Sequence, residues 1–72
     1  MFPYRIVIEW CESDGLYVAT IPALAGCSAH GATADEATRE GVVAGTALLE
    51  NMRDNGLALP ASDLRDPPAR VA

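Results

Sequence analysis

Residues 14–37 read DGLYVATIPALAGCSAHGATADEA, and most of the fold can be derived outward from them. Asp14-Gly15 tolerates positive φ, so the run Leu16 to Ile21 can fold back on whatever precedes it. Pro22 carries no amide proton and ends the ladder or sits at its edge. Ala23 to Gly26 then connect into a short third strand expected around Cys27 to His30. Thr33 with Glu36 forms a capping box: the threonine oxygen accepts from the N3 amide, and the glutamate reaches back to the threonine amide.

Upstream, Phe2, Tyr4, Ile6, Ile8 and Trp10 alternate with Arg5, Val7 and Glu9, the period-two pattern of a strand over Phe2 to Trp10. The loop joining it to the second strand exceeds two residues, which calls for a wider or bulged turn. Downstream of the cap, Ala37, Gly41, Ala44, Leu48 and Met52 recur at helical spacing, with most charges elsewhere on the helix. Asn55-Gly56 supplies the stop. Gly41 and Gly45 each cost about 1 kcal/mol relative to Ala in a helix interior. Close approach of the helix to the sheet accounts for them better than a Gly-x-x-x-Gly dimer face, which belongs to membrane helices. Leu57 to Pro60 is expected as a short final strand, and residues 61–72 as a mobile C-terminal tail after a domain spanning 1–60.

The order of these elements resembles the HicB-like antitoxin family. Its pattern runs DGGY, a strand ending in V-x-x-P, P-D-L-P-G-C, then G-x-T-x-E-E-A opening a helix. Here the corresponding residues are Asp14-Gly15-Leu16-Tyr17, Ala19-Thr20-Ile21-Pro22 with Ala19 at the valine position, Pro22-Ala23-Leu24-Ala25-Gly26-Cys27 and Gly31-Ala32-Thr33-Ala34-Asp35-Glu36-Ala37. The resemblance extends from about Tyr4 to Pro60. Ala23 and Ala25 replace the acid and second proline of the pattern. It implies an α+β fold, partial ribonuclease H-like, with a three-stranded antiparallel sheet, one amphipathic helix and a short final strand (β-β-β-α-β). Longer family members add a DNA-binding module, and the chain ends before one would fit, so direct nucleic acid binding is not carried over.

The resemblance implies the antitoxin half of a toxin–antitoxin pair. Its partner would be a HicA-like toxin, a small basic messenger ribonuclease whose active site the antitoxin occludes. The alternative is a stand-alone oligomeric binding or regulatory module without a toxin. The partner-binding candidates are Asp14, Tyr17, Pro22, Leu24 and Gly26, from the turn and the connection. For these, Asp14 and Gly26 as turn formers and Leu24 as a core plug stand as the competing structural reading.

Composition is compatible with a binding role. Ten acidic residues against five basic ones give a net charge of −5, which argues against nonspecific attraction to phosphate backbones and suits a basic protein partner. It is also an ordinary solubility charge for a small domain. A chain of 72 residues is short enough that self-association would add stability, and apolar groups on both faces of the strands lead us to expect a homo-oligomer. No apolar run approaches the ~20 residues needed to cross a membrane, and Met1 to Arg5 lacks the order of a signal peptide, so the expected location is cytoplasmic.

No enzymatic activity, metal or cofactor is expected. Glu9, Asp14, Asp35, Glu36 and Glu40 have sufficient roles in strand, turn, cap and helix surface, and do not promise the convergence a two-metal nuclease needs. Cys27 and His30 are three apart on a strand, which directs them to opposite faces rather than into a nucleophile–base pair. Cys11 and Cys27 read as free thiols. Neither Gly26 nor Gly31 belongs to a phosphate-binding glycine loop.

Overall fold

The computed structural model describes residues 2–64. Three strands, β1 (Val7–Cys11), β2 (Leu16–Thr20) and β3 (Ser28–Gly31), precede a helix, α1 (Ala34–Asp54). The strands form one antiparallel sheet in the order β1-β2-β3, an α+β fold with the helix on one side.

Register fixes the faces. Ile8 pairs with Ala19 and Ala19 with Ala29, while Trp10 pairs with Tyr17 and Tyr17 with Gly31. Period-two alternation puts these rows on one side of the sheet and the Glu9–Val18–His30 row on the other. The helix covers the first side. A Cβ at Gly41 would sit 3.2 Å from Ala19 Cβ, and one at Gly45 would sit 2.5 Å from Phe2 Cζ and 2.9 Å from Ile21 Cδ1. The helical glycines therefore let the backbone lie close on the sheet, as the sequence suggested.

The core continues past the sheet. Ile21 and Leu24 are buried, at 1% and 2% exposure, and join Tyr4 and Cys27, with Phe2, Ile6, Ala44, Leu48 and Leu49 packed around them. Leu24 reaches this position because the β2–β3 connection is bonded to itself: the Leu24 amide donates to the Ile21 carbonyl, and the Cys27 amide to the Leu24 carbonyl.

Both helix ends follow the sequence closely. The Glu36 amide donates to Thr33 Oγ1 at 3.0 Å, but the Glu36 carboxylate accepts from the Ala32 amide rather than from Thr33's own. At the far end the Gly56 amide donates to the Arg53 carbonyl and the Leu57 amide to the Met52 carbonyl, the paired closure of a Schellman motif.

Three expectations need correction. The first strand begins at Val7, not Phe2, because the Arg5 amide donates to the Asp63 carboxylate instead of to a neighbouring strand, and Pro3 has no amide to give. The third strand is displaced by one residue to Ser28–Gly31, leaving Cys27 in the core. The short final strand at Leu57–Pro60 is not formed. That segment instead returns beside the N-terminal residues and is held by side chains, with Tyr4 donating to the Pro60 carbonyl and Ser62 Oγ to the Pro3 carbonyl. Bonds of this type fix position without building a ladder. They also tie down residues 62 and 63, the first part of the segment expected as a tail; residues 65–72 lie outside the described residues.

Candidate protein-binding surface

The five candidate contact residues fall at opposite ends of β2. Asp14 is exposed in the turn before it and Tyr17 lies half-buried near its start, whereas Pro22, Leu24 and Gly26 follow its end. Five residues of strand separate the two groups by about 17 Å. Within the second group, Pro22 and Gly26 are exposed but Leu24 is a core residue. Gly26 has φ of 81°, so its role in shaping the connection is direct.

At the turn end the structure adds a residue that the alternating pattern had placed only on one face of the first strand. Trp10 is 52% exposed and packs edge-to-face on Tyr17, with ring centroids 5.0 Å apart. Both rings point to the helix side of the sheet, yet the helix does not cover them. It leans on β3 and β2 and touches β1 least. Period two could identify the face of Trp10 but not how far along that face the helix extends. The signal available in the sequence was position: the only tryptophan stands at the last residues before a polar turn.

The surroundings of this aromatic pair are acidic. Tyr17 pairs with Gly31, and Gly31 lies against the backbone of Glu36 and Ala37, so the row Trp10–Tyr17–Gly31 ends under the first turn of α1. Asp35 and Glu36 are exposed there, and Glu12 and Asp14 are exposed in the adjacent turn. The face of an aromatic ring attracts a cation, and neighbouring carboxylates reinforce that attraction. Such a surface is suited to a guanidinium or ammonium group carried on another protein, and aromatic side chains are enriched where interfaces are strongest.

The residues considered for other chemistry are not brought together. Cys27 is buried while His30 is exposed on the far side of β3. Cys11 and Cys27 are both free thiols. Among the described residues no three His, Cys, Asp or Glu side chains cluster closely enough to hold a metal ion, and no helix is long and apolar enough to cross a membrane.

Comparison with known proteins gives one informative relationship. The chain is similar to the UPF0150 protein ssl0259 of Synechocystis sp. (strain ATCC 27184 / PCC 6803 / Kazusa), with 40% identity over 58 residues, covering 81% of this chain and 78% of the relative. No family model matches the chain, and no solved structure matches it significantly.

Proposed function

The chain belongs to the UPF0150 family, and from that premise we propose that it is an antitoxin-like protein of the HicB type, which binds a small basic HicA-type messenger ribonuclease and occludes its active site. The observation that carries this reading is the Trp10–Tyr17 pair, exposed at Trp10 and half-buried at Tyr17, near the acidic turn and helix start, on a chain whose net charge is −5. The motif order from Asp14 to Ala37 supplies the family-level support.

The mechanism is binding rather than chemistry. Opposite net charges speed encounter, and burial of the two rings slows dissociation. A basic side chain of the toxin seated on the rings would be held away from RNA phosphates, so the same contact that gives affinity competes with substrate. Pro22 and the Gly26 turn, at the other end of β2, would serve as a secondary contact. Such a pair acts in the cytoplasm, where its messenger substrate is.

The test is co-expression of this chain with a neighbouring small basic open reading frame, with a tag on one of the two. Joint elution together with relief of growth arrest supports the proposal. Trp10→Ala with Tyr17→Ala should then lose toxin binding by at least about tenfold, as expected for central aromatic contacts, with the urea midpoint little changed. If no complex forms, the reading that remains is a stand-alone HicB-like binding or regulatory module.

A further inference from the structure

The run from Tyr4 to Trp10 reads YRIVIEW. Tyr4, Ile6, Val7, Ile8 and Trp10 are strong strand formers, Arg5 and Glu9 cancel in charge, and neither Pro nor Gly interrupts them. Segments of this length and composition pair readily with strands of other chains when their main-chain groups are free. Here β1 takes up only the second part of the run, and β2 is its one partner, so the other edge of β1 is open among the described residues. The first part is held differently. The chain bends at Tyr4, whose ring is buried in the core.

The segment after the helix supplies that hold. Asp63 Oδ1 accepts from the Arg5 amide at 2.7 Å, Ser62 Oγ donates to the Pro3 carbonyl at 2.6 Å and accepts from the Leu64 amide at 3.3 Å, and the Pro60 carbonyl accepts from the Tyr4 hydroxyl. Core filling does not account for this placement, since Leu57, Leu59 and Leu64 are 57%, 47% and 39% exposed. The polar groups face the domain and the leucines face solvent. A side chain that takes up a main-chain donor or acceptor leaves nothing there for another strand, and it carries no ladder onward.

We propose that residues 60–63 guard the edge of the sheet: they keep Pro3 to Arg5 bent and bonded, and so confine the edge open to a foreign strand to the five residues of β1. Covering an edge and keeping it short are both ways in which sheets avoid unwanted pairing. Without the guard, the run from Tyr4 to Trp10 offers a longer edge, beginning with the Arg5 amide that Asp63 now occupies. The Trp10–Tyr17 pair lies at the other end of β1, so this inference does not rest on the antitoxin reading.

Amide exchange and aggregation of the full chain test the proposal together. Ser62→Ala combined with Asp63→Ala removes both side-chain holds; the Arg5 amide should then exchange at least about tenfold faster, while amides of the β1–β2 ladder keep their wild-type rates. The same double variant, agitated at about 100 μM and followed by thioflavin T fluorescence, should show a lag several-fold shorter than the wild-type chain. Two further variants isolate the cause. Glu50→Ala removes an exposed carboxylate from the helix and should leave the lag unchanged, which separates the edge from net charge. Arg5→Pro, added to the double variant, removes the freed donor and should return the lag towards that of the wild type. In the aggregate of the double variant, quenched amide exchange should find protection within residues 4–10, a reading independent of the proline variant.

An Arg5 amide that exchanges no faster in the double variant would overturn the proposal, as would fast exchange with no earlier aggregation, or with none at all. Ladder amides that accelerate together with Arg5 would make residues 60–63 a support of the whole domain rather than of its edge, and would equally overturn it. So would a lag shortened as much by Glu50→Ala, or protection confined to residues outside 4–10.

Discussion

On the helix side of the sheet the closest contacts are made by Ala19, Ala37, Gly41 and Gly45; on the other side the central row is Glu9, Val18 and His30. The first set has almost no side chain. Small residues bring the helix backbone so near that Ala19 and Ala37 are fully buried, and the larger core groups, Tyr4, Ile21 and Leu24, gather beyond the ends of the strands. The second set combines bulk, charge and exposure. A surface closed within the chain tolerates no added atom, whereas an open one tolerates many and responds chiefly in what it binds.

This contrast can be broken most severely at Gly31. A Cβ there would collide with the backbone nitrogen of Ala37, and backbone in the first turn of a capped helix cannot swing aside as a side chain can. Gly31→Val should lose more than about 3 kcal/mol, enough to leave so small a domain unfolded in water. Circular dichroism at 25 °C reads the result, and a folded spectrum would mean that β3 and α1 are less tightly apposed than described.

Leu24→Ala comes next, with an expected loss of about 2–5 kcal/mol from removing a buried leucine side chain. Urea denaturation followed by tryptophan fluorescence measures it. An unchanged midpoint would move Leu24 out of the core and restore it as a contact residue.

Thr33→Ala removes the acceptor for the Glu36 amide and should cost about 1 kcal/mol. A shift in thermal midpoint larger than that of Leu24→Ala would mean that helix initiation, rather than core packing, limits stability. The smallest effect belongs to the open face: His30→Gln should change the unfolding free energy of dilute protein by less than about 0.5 kcal/mol, because the side chain is exposed and makes no hydrogen bond within the chain among the described residues. A large effect in dilute solution would place His30 among the structural residues and weaken the contrast between the faces.

Signals that are local in sequence were the readable ones. Asp14-Gly15, Thr33 with Glu36, and Asn55-Gly56 each act within a few residues, and the turn, the helix start and the helix end lie where they indicate. The assignments that changed depend on distant partners. Phe2 to Ile6 alternate like a strand, yet Tyr4 and Arg5 are bonded to Pro60 and Asp63, more than fifty residues away. Leu57 to Pro60 has strand-like composition but no ladder to join. Of the candidate contact residues, Tyr17 acquired a neighbour, Trp10, that alternation had placed only on one strand face, while Leu24 was drawn into the core by the turn that carries it.

By itself, then, the sequence determined the α+β class, the three strands, the helix and its caps, and a net negative charge, because propensity, periodicity and charge are carried by residues near one another in the chain. Only the tertiary structure decided which sheet face is closed, how far the helix extends over it, and therefore that Trp10 remains exposed and Tyr17 half-buried beside it. Those outcomes depend on how closely two backbones approach, and that distance is set jointly by Ala19, Gly31, Gly41 and Gly45, residues that come together only once the chain has folded.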